Sequence, residues 1–201
     1  MMLAATQTIN VGLRHVPTWV VYAAGALPPV WLVYLGLTGG LGVEPIKTFE
    51  HLLGELALQM MIVTLAVTPL KRFAGIGLIK FRRAFGLLTF YYVTCHLLVW
   101  LFLDVGILSQ IWADIVKRPH ITFGMWAFVL LTPLAATSTN AAIRKMGPKR
   151  WKRLHQLGYA AAILGAVHYI MVAKTWQLEP LIYLGIIILL LLARIQVPKR
   201  A

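Results

Sequence analysis

A single cysteine, Cys95, stands in a chain of 201 residues. One thiol excludes an internal disulfide framework and a cysteine-rich metal centre. Acidic residues are nearly as scarce, with 6 Asp and Glu against 19 Lys and Arg, a net charge of +13. Charge as a whole is thin, at 12% of residues, about half of what a soluble domain carries. No Gly-rich dinucleotide fingerprint follows a strand-like run. No segment reads as a strand, a linker or a soluble domain, and no convincing internal repeat is visible.

What is abundant is apolar: 60% of residues, with a mean hydropathy of +0.78. Several runs approach the roughly 20 residues needed to cross a bilayer. Length and charge breaks place six spans at about 17–37, 51–70, 84–103, 121–138, 155–173 and 178–197. The chain reads as one all-α integral membrane domain over 1–201. Pro17 starts the first span at a helix-compatible position, Pro28-Pro29 predicts a kink within it, and Pro69 closes the second. Arg14 and His15 come late, and no small-residue cleavage site follows a short apolar run, so the first span reads as retained rather than as a signal peptide.

In a soluble protein the basic surplus would suggest nucleic acid. Here the basic residues sit between spans, which assigns them to topology and anionic lipid. The segments before the first span, 71–83, 139–154 and from Arg194 onward hold 15 Lys and Arg, against 4 on the other side: Lys47, Lys117, Arg118 and Lys174. That split places both termini in the cytoplasm. The outward segment "DVGILSQIWADIVKRPH" is amphipathic and suits the outer membrane surface.

Six histidines carry the remaining information: His15, His51, His96, His120, His155 and His168. Ionisable groups within spans are costly and mark function. His96 lies 13 residues beyond Arg83, and His168 lies 13 beyond His155, so each stands about 20 Å above the inner edge of its span. Two imidazoles at one depth on two parallel helices suit the two faces of a heme iron. Gly165, Ala166, Gly158 and Ala160 to Ala162 leave room for a macrocycle, and Phe90, Tyr91, Tyr92 and Trp100 are expected to wall it. The plain alternative is an interhelical hydrogen bond for each histidine. Zinc fits less well, because no cysteine or carboxylate stands at that level.

On a continuous helix His155 would point about 140° away from His168. It therefore serves a second ligand, or a non-helical start to the span turns it, or it is a plain interfacial residue. Arg83, with Arg82 beside it, occupies the matching level of the third span and suits a propionate, a phosphate or a lipid head group. His51 is placed for the outer edge of a heme or quinone, or as an interfacial cap; His15 and His120 read as solvated. A proton-coupled transporter with a histidine relay is the reading from another class, and a cofactor-free assembly subunit is a third.

The blocks "GGLGVEPIKTFEHLLGELAL", "TPLKRF", "FRRAFGLLTFYYVTCHL", "LTPLAATSTNAAIRKMGPKRWKRLHQLGY" and "VHYIMVAK" cover nearly the whole chain. Together they resemble the MsrQ (YedZ) family, within the ferric-reductase-like transmembrane group. The resemblance implies six spans in the bacterial inner membrane, one or two b-type hemes held in the bundle, and room for FMN. It implies electrons from the quinone pool or a cytoplasmic flavin reductase, passed to a periplasmic molybdopterin-containing methionine sulfoxide reductase catalytic subunit. The chain would be the electron-transfer subunit rather than the catalytic one. The family's heme histidines fall on His96, His155 and His168. Many members of the broader group carry two histidines on each of two helices; here Arg83 stands in one of those places, which argues against a simple two-heme ladder.

Overall fold

The computed structural model describes residues 2–173 and 177–194, with side chains from residue 6 onward. Among the described residues there are ten α-helices and no strand: α1 (Met2–His15), α2 (Thr18–Leu37), α3 (Pro45–Phe73), α4 (Arg82–Val99), α5 (Leu108–Lys117), α6 (Pro119–Ala136), α7 (Asn140–Met146), α8 (Pro148–His155), α9 (Leu157–Val172) and α10 (Leu178–Leu192). Among the described residues four stretches are long and apolar enough to cross a membrane: Thr18–Leu37, Pro45–Phe73, Leu78–Val105 and Pro119–Ala136. The fifth and sixth expected spans are the shorter α9, of 16 residues, and α10, of 15. At 1.5 Å per residue these rise about 22–24 Å.

Exposed apolar side chains such as Trp19, Leu27, Trp31 and Leu189 are costly in water and suited to lipid. The part of the sixth expected span beyond Arg194, together with Lys174, Lys199 and Arg200 of the charge count, lies outside the described residues.

Helix α2 is continuous through Pro28 and Pro29. One expectation about proline needs correction. Pro69 does not close the second span but sits buried inside α3, which continues to Phe73. A proline has no N–H for the carbonyl four residues earlier, which here is Leu65 O. Arg194 supplies the missing donors: its Nη2 and Nε donate to Leu65 O at 2.6 and 3.2 Å, and Nη2 also reaches Thr64 O at 3.3 Å. Arg194 Nη1 donates to Tyr159 Oη at 3.1 Å, and its guanidinium lies 5.3 Å from that ring's centre. One arginine thus ties α3, α9 and the end of α10 together where the helix ladder is interrupted.

The pairs α3–α4 and α6–α9 are the two most extensively packed in the bundle. The alanines of α9 make the second possible, since Ala161, Ala162 and Ala166 are buried with Leu131 in the main core. Beyond Val99 the backbone widens into a π-helical turn, Trp100–Val105, ended by Gly106 at φ +66°. Such turns re-aim side chains and gather at functional sites. Helix α5 bears out the amphipathic reading of its segment, with Leu108, Trp112 and Val116 forming an exposed stripe one turn apart.

Candidate functional site

Helix α3 meets α4 as α6 meets α9, and the space between the two pairs is a cavity of about 720 Å³, within the usual range for cofactor pockets. His96 of α4 and His168 of α9 both line it. Their ring centres are 6.1 Å apart and their planes are inclined by 76°. A metal–imidazole bond is roughly 2.0–2.1 Å. Adding the short distance from nitrogen to ring centre on each side gives a separation on the order of 6 Å for two imidazoles on opposite faces of one metal. The observed spacing is of that size.

The protonation of both rings is set by what Nδ1 touches. His96 Nδ1 lies 2.9 Å from Glu50 O, and His168 Nδ1 lies 2.7 Å from His120 O. A carbonyl only accepts, so Nδ1 carries the proton and donates. Nε2 is then the free lone pair, the form in which imidazole ligates a metal, and the Nδ1 bond fixes its orientation. Among the described residues no group of three or more His, Cys, Asp or Glu is placed to hold a metal ion. The donor set therefore suits a macrocycle that brings its own equatorial ligands and takes two axial ones from protein.

The walls agree in part with the sequence reading. Ala161, Ala162 and Gly165 line the cavity, while Ala166 is buried in the core. Of the four expected aromatic walls, only Trp100 lines it. Phe90 stands behind Phe128, stacked with ring centres 5.6 Å apart, and Phe128 is the wall. Tyr92 points away and donates to Gly25 O at 2.6 Å. Cys95 packs beside a second core cluster, as a small packing residue should.

His51, exposed at the start of α3, lines the cavity together with Lys47, Glu50, Asp104 and Arg118. Two of these basic residues are partly neutralised: Lys47 pairs with Glu44 at 3.3 Å, and Arg118 with Asp114 at 3.0 Å. His120 differs from its expected solvated state. It is the second residue of α6, is half-buried at the cavity, and has its ring centre 6.5 Å from that of His168. Pro119 at the helix start was the signal that the next residue opens a helix rather than lying in a loop.

His155, Arg82 and Arg83 are not brought to this cavity. One residue separates α8, which ends at His155, from α9, which begins at Leu157, and that residue, Gln156, keeps helical dihedrals at φ −69° and ψ −20°. His155 stacks on Trp151 with ring centres 3.9 Å apart. Its Nε2 lies 3.1 Å from Thr137 Oγ1, and Trp151 Nε1 donates to Thr137 O at 2.9 Å. Arg82 lies close enough to act on His155 electrostatically, whereas Arg83 Nη2 donates to Asn140 Oδ1 at 2.6 Å.

The geometry so far defines a class: a multi-pass helical membrane protein with a cavity framed by two anchored, metal-competent imidazoles. The family model described as "Ferric reductase like transmembrane component" matches residues 53–166, from the third turn of α3 into α9. Two relatives are described as protein-methionine-sulfoxide reductase heme-binding subunit MsrQ. The one from Brucella anthropi is 51% identical over 181 residues, covering 90% of this chain and 82% of the relative. The one from Brucella ovis is 52% identical over the same spans. The chain belongs to the MsrQ family, within the ferric-reductase-like transmembrane group.

Proposed function

We propose that this protein is a membrane electron-transfer subunit that holds b-type heme between His96 and His168. In this reading it takes electrons from the quinone pool or a cytoplasmic flavin reductase. It delivers them to a periplasmic molybdopterin-containing methionine sulfoxide reductase catalytic subunit, in support of repair of oxidised periplasmic proteins. The supporting observation is the pair of imidazoles with ring centres 6.1 Å apart, each with Nδ1–H held by a backbone carbonyl and Nε2 left to ligate. Bound there, heme would supply a one-electron couple.

The chain's own residues do the rest. The Glu50 and His120 carbonyls hold the rings, the small residues of α9 admit the macrocycle, and Trp100 and Phe128 exclude water. His51 stands toward the outer edge. His155 with Arg82 and Arg83 forms a separate inner site, taking a second heme or the group through which electrons enter, FMN included.

The reading carries a topology: six spans in the bacterial inner membrane with both termini cytoplasmic, supported by the basic residues of 71–83 and 139–154. Reporter fusions after Ala201 and within 104–120 are expected to report opposite sides of the membrane. A carboxyl-terminal reporter active only outside the cytoplasm contradicts it. Function is tested in proteoliposomes: a quinol, or a flavin reductase with its reductant, reduces the heme bands, and adding the catalytic subunit with methionine sulfoxide reoxidises them. Bands that respond to none of these additions contradict the proposed path.

A further inference from the structure

Each axial imidazole reaches a carbonyl that is already engaged. In an α-helix the carbonyl of residue i accepts from the N–H of residue i+4. Glu50 O and His120 O are therefore the ladder acceptors of Gly54 and Gly124, and the imidazoles take the second lone pair that a carbonyl retains. A side chain on residue i+4 would screen that lone pair. Both positions are glycine, and the ring lies close against the space where a Cβ would stand. A Cβ on Gly54 would lie 3.2 Å from His96 Nδ1 and 3.3 Å from its Cε1. One on Gly124 would lie 3.0 Å from His168 Nδ1 and 3.1 Å from its Cε1.

The same device occurs twice, as "EHLLG" opposite His96 and "HITFG" opposite His168, with carbonyl and ring 46 and 48 residues apart. It is an internal repeat written in two glycines and two carbonyls, too sparse for the sequence to display.

We propose that Gly54 and Gly124 are positioning residues that set the rotation of the two axial rings and so tune the metal between them. This rests on the reading of His96 and His168 as axial ligands. The planes stand at 76°. Near-perpendicular axial rings leave two iron d orbitals close in energy, which gives a highly anisotropic low-spin resonance with one large principal g value; near-parallel rings give a rhombic one. The Nδ1–H bond also strengthens each ring as a donor, which favours ferric iron. A methyl group at Gly124 would stand 3.0 Å from Nδ1, so the His168 ring must give by a few tenths of an ångström, which alters its rotation or its bond to the His120 carbonyl.

The test compares purified wild-type holoprotein with Gly54→Ala, Gly124→Ala and, as control, Gly185→Ala, whose added methyl meets nothing within 4 Å. Electron paramagnetic resonance and a potentiometric titration are read for each. The wild type and the Gly185 variant are expected to share the highly anisotropic signal and one potential. Gly124→Ala shifts the signal toward rhombic and the potential upward while the iron stays low-spin, and Gly54→Ala does the same to a smaller extent. Unchanged signals and potentials in both variants overturn the inference. So does a rhombic wild-type signal, a result that stands even if neither variant accumulates. A wild type without any six-coordinate low-spin heme instead overturns the ligand reading beneath it.

Discussion

Replacement of His96 or of His168 by alanine is expected to empty the cavity of most of its heme. Removing an outer-shell partner of a metal ligand typically costs roughly 10–100-fold in affinity, and removing the ligand costs at least that. The remaining imidazole leaves iron five-coordinate and the macrocycle held from one side only. The effect on the fold is smaller. Each ring gives up one hydrogen bond to a backbone carbonyl, worth about 0.5–1.5 kcal/mol net, so both variants should still insert and accumulate. Heme-to-protein ratios on purified variants check this. Wild-type ratios with a six-coordinate low-spin spectrum in both would show that this pair is not the ligand set.

His155→Ala is expected to separate the two ends of the molecule. It lies outside the cavity and is engaged by Trp151 and Thr137. Its loss should leave the spectrum of heme at His96 and His168 largely intact and dithionite reduction fast. Reduction by quinol or by flavoprotein should slow, because the proposed inner site loses the imidazole beside Arg82. Losing one stacked pair and one hydrogen bond costs about 1–3 kcal/mol of stability, so a thermal melt is the control for general damage. Stopped-flow reduction with each donor decides the matter. Loss of all heme points to one shared site, and unchanged donor rates point to an interfacial role for His155.

The nearness of His96 and His168 was legible because depth is a matter of counting. Thirteen residues from Arg83 to His96 and from His155 to His168 place two rings at one level, and the structure brings their centres within 6.1 Å. Rotation about the helix axis was less legible, since it depends on how pairs pack. That is why Tyr92, expected as a wall, turns instead to Gly25 O, and why Phe128, not Phe90, faces the cavity.

Proline misled for a related reason. Alone, Pro69 reads as a stop; with Arg194 donating to the carbonyl it frees, the helix continues. That partner lies 129 residues away in sequence, beyond the reach of local pattern. The glycines at 54 and 124 carry no signal in the sequence, because the ring each one lies against is contributed by another helix. His120 was misplaced by treating "KRPH" as loop when Pro119 opens α6.

The most direct test of the central claim is the coordination state of heme in the purified protein, read by near-infrared magnetic circular dichroism together with heme-to-protein stoichiometry. The account predicts at least one heme per chain, with the low-spin charge-transfer band of two neutral imidazoles. A colourless protein, or heme that is high-spin or carries an axial ligand other than histidine, would contradict it.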